Sequence, residues 1–174
     1  MADETTDTQP EAPAEGRRRP VKKILGYGAL GLLAVFLLIQ LVPYGRDHTN
    51  PPATDPVTFQ TASQKQIFAS ACQDCHSNDT TWWWYSNIAP ASWLIQDDVD
   101  GGRSNMNLSE WNKPQPELQE IKEVISEGEM PPLKYKIAPN HADARLSDKE
   151  KADLIAGFEQ LYATNPPQTR QGGD

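Results

Sequence analysis

The chain has 174 residues, only 37 % of them apolar, with 15 prolines, a composition that allows one modest domain with tails and stiff connections. Residues 1–42 balance five basic against five acidic groups, so the whole net charge of -8 falls on residues 43–174, which speaks against nucleic acid as a partner and for partners that are basic or neutral. Two cysteines, both inside one C-x-x-C, exclude a disulfide framework.

Residues 1–16 carry five carboxylates and few bulky apolar groups, so the sequence predicts a disordered acidic tail leading into a basic flank, RRRPVKK, that ends at residue 23. Residues 24–42 follow without a charge. At about 1.5 Å per residue this apolar run reaches nearly 30 Å, the thickness of a bilayer core, and predicts a single transmembrane anchor. A cleaved signal peptide has a shorter apolar region and a small-x-small site, and PYGRDH after Val42 offers none. The basic flank precedes the span, so the positive-inside rule places the N-terminus in the cytoplasm and everything after Pro43 outside. Residues 43–56, rich in proline and polar groups, are expected to form a stalk in which His48 is solvated and has no role.

Four helices are predicted in the exported part, and no strand pairs. The first, 63–72, opens on SQKQ as a capping box and sets Ile67, Phe68 and Ala71 on one face. A second, 91–100, holds Trp93, Leu94, Ile95 and Val99 and is expected to stop at Gly101 and Gly102. The third, 116–127, spaces Leu118, Ile121, Val124 and Ile125 helically, with Gly128 as its stop. The fourth, 148–162, is capped by Ser147 with Glu150 three residues on, and presents Leu154, Ile155, Phe158, Leu161 and Tyr162 to a core. A small all-α domain over 57–163 follows, with a disordered tail at 164–174.

Residues 72–76 read C-x-x-C-H. Outside the cytoplasmic membrane, Cys72 and Cys75 can both add to the vinyl groups of one haem, and His76 then offers its imidazole to the iron. A redox dithiol prefers a thioredoxin-like setting, and zinc needs a second Cys or His pair; the sequence supplies neither context. The expected cofactor is therefore one covalent haem c. For the sixth position Met130, in SEGEMPPLKY, is the leading donor, with Met106, His141 or an open, water-filled position as alternatives. Trp82, Trp84, Tyr85 and Trp93 are expected as pocket walls that also offer hydrogen bonds to haem propionates, and Arg103 as a propionate partner. Three adjacent tryptophans cannot share one direction, and Trp83 is expected to point away, toward a partner, lipid headgroups or solvent.

The segments CQDCHSNDTTWWWYSNIAPASWL, GGRSNMNLSEW and SEGEMPPLKY with HADARLSDKEKADL resemble the haem-binding domain family related to monohaem c-type cytochromes, over roughly residues 59–162. The resemblance implies a cytochrome c-like helical fold, attachment through Cys72 and Cys75, and iron ligation by His76 and Met130. Trp83 stands where such domains usually have proline. The leading functional expectation is a membrane-anchored monohaem cytochrome, not an enzyme, that carries single electrons between membrane-bound or soluble redox proteins on the extracytoplasmic side. The alternatives are a haem-based sensor, an accessory haem subunit of a larger complex, and a peroxidase, for which one motif and no distal acid-base pair are visible.

Overall fold

The computed structural model describes residues 19–139 and 141–170 of the chain, which divides into two units, Met1–Val42 and Pro43–Asp174. The acidic tail expected at 1–16, the first two residues of the basic flank and the last four residues of the expected C-terminal tail lie outside the described residues.

In the first unit, helix α1 (Arg19–Ile39) is apolar all round from Ile24 onward, and its stretch Val21–Ile39 is long and apolar enough to cross a bilayer. It starts before the expected residue 24 and stops short of 42. Gln40, Leu41 and Val42 instead close tight turns, their amides donating to Leu37, Leu38 and Ile39. Pro43 accounts for the end, because its ring disfavours helical backbone in the residue before it.

The second unit is all-α: no strand forms among the described residues, only single bridges between Asp55 and Glu110 and between Gln115 and Thr169. Its core is built on α7 (Asp148–Thr164), whose capping box joins Ser147 and Glu150 as the sequence predicts. Leu154, Phe158 and Leu161 recur at helical spacing on one face and are buried against Ile121 and Ile125 of α5 (Leu118–Ser126) and Ile67 and Phe68 of α2 (Ala62–Ala71). Phe59 completes a ring cluster, edge-on to Phe158 at 5.0 Å and tilted to Phe68 at 5.3 Å. The capping box of α2 is Thr61 with Gln64, not Ser63 with Gln66; Ser63 is already inside the helix, where its hydroxyl donates to Asp153 of α7. Gly128 ends the α5 segment at φ +76°, as expected.

Against this core lies a second group: α3 (Gln73–His76), the 3-10 turn Trp84–Asn87 and α4 (Ala91–Asn105). Helix α4 does not stop at Gly101 and Gly102 but continues to Asn105. The reason is close approach, since a Cβ on Gly102 would lie 2.4 Å from the Cys75 carbonyl oxygen. Four short elements show no periodicity in the sequence and were not expected there: α3, the turn at Trp84–Asn87, α6 (Leu133–Ile137) and the 3-10 turn Ala142–Ala144.

Residues 43–56 are a strap bound to the domain, not a stalk. The Asp55 and Val57 amides donate to the Ser109 and Leu108 carbonyls, and the Trp111 amide donates to Asp55 O. His48, at φ +27°, stacks on Trp82 with 4.5 Å between ring centroids, and its Nε2 lies 3.0 Å from Ser86 O. The solvated stalk histidine is thus corrected to a packing residue. Likewise the expected frayed tail is tied down as far as Arg170: the Gln115 amide donates to Gln168 O, the Arg170 amide to Gln115 O, and the Trp111 indole to Asn165 O. Hydrophobic spacing carries no information about either segment, because backbone carbonyls and amides make these contacts.

Replacing Gly102 with alanine drives a methyl into backbone rather than into a flexible side chain, and is expected to cost about 1–3 kcal/mol. Urea unfolding of the Gly102→Ala chain measures it, and an unchanged midpoint contradicts the close contact.

Candidate functional site

Cys72, Cys75 and His76 stand at positions i, i+3 and i+4 around a single helical turn, in which the Cys75 and His76 amides both donate to Cys72 O. The spacing brings all three side chains to one side, where they line a cavity of about 650 Å³. This volume lies inside the range of roughly 300–1,000 Å³ typical of cofactor pockets. The other walls come from Ile121, Val124 and Ile125 of α5, from Gly101 and Gly102 of α4, and from Met130 to Pro132 and Tyr135.

His76 is held by its Nδ1, 3.1 Å from the backbone carbonyl of Met106. A carbonyl only accepts, so Nδ1 carries the proton and the neutral ring leaves the Nε2 lone pair free to bind a metal. Burial keeps the ring neutral by pulling its pKa below the usual histidine value, although the bonds to Met106 and Gly102 work the other way. The Met106 carbonyl is in turn fixed by a buried polar network. Asn107 takes Gln115 Oε1 on its amide and donates through Nδ2 to Asn78 Oδ1 at 2.8 Å, while Ser109 Oγ accepts from the Asn78 amide and the Leu108 amide donates to His76 O. Periodicity in the sequence gave no sign of this network, whose only trace was the polar run in GGRSNMNLSEW.

Both thiols are free and half-buried. Burial pushes each up to about 12, Cys72 being raised further by Cys75, and Cys75 by Asp98 and Asp74. They are protonated at neutral pH, unlike a redox-active dithiol. Among the described residues no three His, Cys, Asp or Glu side chains converge as a metal site.

The aromatic residues are placed differently from the expectation. Trp83 and Tyr85 line the cavity; Trp82, Trp84 and Trp93 do not. Trp83 is extended and precedes the 3-10 turn that begins at Trp84, and the change of backbone there separates Trp83 and Tyr85, on the cavity, from Trp82 and Trp84, off it. Trp82 stacks on His48 and donates from its indole to Asn50 Oδ1. Trp84 is 72 % exposed, with its ring edge-to-face to Tyr85 at 5.7 Å.

Arg103 also lies outside the cavity lining. Four of its N–H groups are taken by the protein: Nε by Ser77 O, Nη1 by Thr49 O, and Nη2 by Asn50 Oδ1 and Thr80 Oγ1, all at 2.9–3.0 Å. It staples the strap to the segment after the C-x-x-C-H, a structural task not expected from the sequence.

All three side chains considered for a metal beside His76 reach the cavity. Met130 lines it, 40 % exposed, on a loop pinned by its own amide to Val124 O. Met106 is buried and belongs to the His76 side of the cavity through its carbonyl. His141 lines it with Nε2 2.8 Å from the Tyr85 hydroxyl and its ring edge-on to Tyr135. Tyr135 in turn donates to Asp98, which also pairs with Lys134.

The chain matches the haem-binding domain family over residues 34–160, most of its length, and it belongs to that family. No curated protein matches it, and no solved structure does. The cavity fits a haem in its own terms: a largely apolar lining, one imidazole whose Nδ1 is engaged and whose other nitrogen is left to a metal, and two protonated thiols on the same helical turn.

Removing the Arg103 staple takes one donor from each of four acceptors between strap and motif. Arg103→Lys is expected to lower stability by about 2 kcal/mol, read from the urea midpoint. Equal stability would mean that the strap is held by other bonds.

Proposed function

We propose that this haem-binding protein is a membrane-anchored monohaem cytochrome of the c type that carries single electrons on the extracytoplasmic side. The observation that carries this reading is the convergence of Cys72, Cys75 and His76 on one cavity with the Nδ1 of His76 already engaged. Cys72 and Cys75 would hold one haem through thioether bonds, and His76 would offer Nε2 to its iron. A haem held there supplies one-electron redox chemistry. Met130 would offer its thioether as a second iron ligand, and Ile121, Val124 and Ile125 of α5 would keep water from a haem held there. Closing both axial positions favours electron transfer over binding of small molecules. Helix α1 supports an anchor by length and composition, with the basic run RRRPVKK on its cytoplasmic side and the second unit outside. Partners are then redox proteins of that side, membrane-bound or soluble.

A second reading, a haem that senses or binds a small ligand, is favoured by one observation. Met130 is substantially exposed, while His141 and Tyr85 form a hydrogen-bonded pair on the same cavity.

Haem should stay with the denatured wild-type chain through acid and organic extraction, and Cys72→Ser and Cys75→Ser should each leave a single thioether in the pyridine haemochrome spectrum. Haem that extracts freely from wild type rules out covalent attachment. Met130→Ala is expected to lower the reduction potential and to let the reduced protein bind carbon monoxide, with His141→Ala changing neither. Rapid carbon monoxide binding by wild type would move the sensor reading ahead, and an unchanged Met130→Ala spectrum would exclude Met130 as ligand.

A further inference from the structure

The exposed apolar side chains of the second unit fall into two sets. Trp83, Met130, Leu133 and Ile137 belong to the cavity walls and α6. Trp84, Ile88 and Leu94, exposed by 72, 37 and 50 %, lie elsewhere, where the 3-10 turn leads into the first turn of α4.

That first turn is also where the strap begins. Gly45, at φ +77°, presses on Ser92 so closely that a Cβ would meet the Ser92 carbonyl oxygen at 2.2 Å. The Ser92 amide donates to Ile88 O at 3.0 Å, which places Ile88 within one turn of the same point. Only Pro43 and Tyr44 separate Gly45 from Val42, where the apolar run ends. Three residues span at most about 11 Å when fully extended. A chain leaving a bilayer at Val42 therefore has no slack with which to lift this end of the domain away from the surface. The interfacial layer adds roughly 5–7 Å beyond the hydrocarbon on each side, and tryptophan and tyrosine concentrate in it. Tyr44, itself half-exposed, stands at that boundary.

We propose that Trp84, Ile88 and Leu94, together with Tyr44, rest in the lipid headgroup layer and hold the second unit against the bilayer in a fixed orientation. The occupant of this face is the lipid surface of the chain's own membrane, chosen by the tether rather than by apolarity alone. The inference rests on the membrane-anchor reading and goes beyond it, since a tether restricts distance without fixing which face meets the lipid.

The test uses the full haem-loaded chain, labelled with fluorotryptophan and placed in lipid nanodiscs. Some lipids carry a headgroup gadolinium chelate, and discs with the diamagnetic lutetium chelate cancel the contribution of the haem iron. Among the signals of the 5 tryptophans, that of Trp84 is identified by its loss in Trp84→Phe, a change at an exposed position. Trp111, 2 % exposed and bonded to Asn165 O, is the internal reference. The Trp84 signal is expected to broaden several-fold more than that of Trp111 with the lipid-borne chelate, and less with a soluble chelate in discs than in detergent. Equal broadening of the two signals, or full access of the soluble chelate to Trp84, overturns the proposal and leaves this face for a protein partner. A chain that does not co-migrate with the discs shows instead that the anchor reading has failed, and the lipid contact with it.

Discussion

One hydrogen bond organises the candidate site: the proton on His76 Nδ1 given to the Met106 carbonyl. It decides which imidazole nitrogen is free, and its geometry depends on everything that fixes residues 106–109. Asn78, Asn107, Ser109 and Gln115 are buried polar side chains, a costly arrangement unless each is satisfied, and the bonds among them meet that condition. The network behind the cavity is therefore as much a part of the site as the residues that face into it. Since half-satisfied networks are worse than apolar packing, it also fixes one arrangement of the loop rather than several.

The same logic of backbone contact explains why α4 carries a glycine at residue 102. A helix that crosses the C-x-x-C-H turn at contact distance has no space for a side chain at residue 102. The approach lets α4 form one wall of the cavity while α5 forms another, so the two halves of the second unit meet at the site. Arg103, one residue on, then uses the exit of α4 to gather the strap and the residues after His76 into one piece. Its four bonds link segments separated by dozens of residues, which offsets part of the entropy of ordering a proline-rich strap with little apolar surface of its own.

The tryptophan run shows how local chain conformation overrides composition. Indole rings next to a haem motif invite the assumption that most of them wall the pocket, with the residue in the usual proline position left out. The step from extended backbone at Trp83 into a 3-10 turn at Trp84 reverses this: 83 and 85 line the cavity, 82 goes to the strap histidine, and 84 is left in the open. That the three rings cannot share one direction was legible, but the expectation that Trp83 is the one left out was wrong, because a 3-10 turn of four residues has no periodic signature.

Residue identity alone determined the apolar span, the capping box at Ser147, the core faces of α5 and α7, and the three motif residues with a share in one site. Each depends on spacing within a few residues, which a single chain displays directly. The extent of α4, the strap at 43–56, the tie of Arg170 and the placing of Arg103 and Trp83 were decided only by the tertiary structure. They depend on backbone carbonyls and amides brought together from distant segments, and every residue carries those groups alike, so no pattern of side chains announces where they will meet.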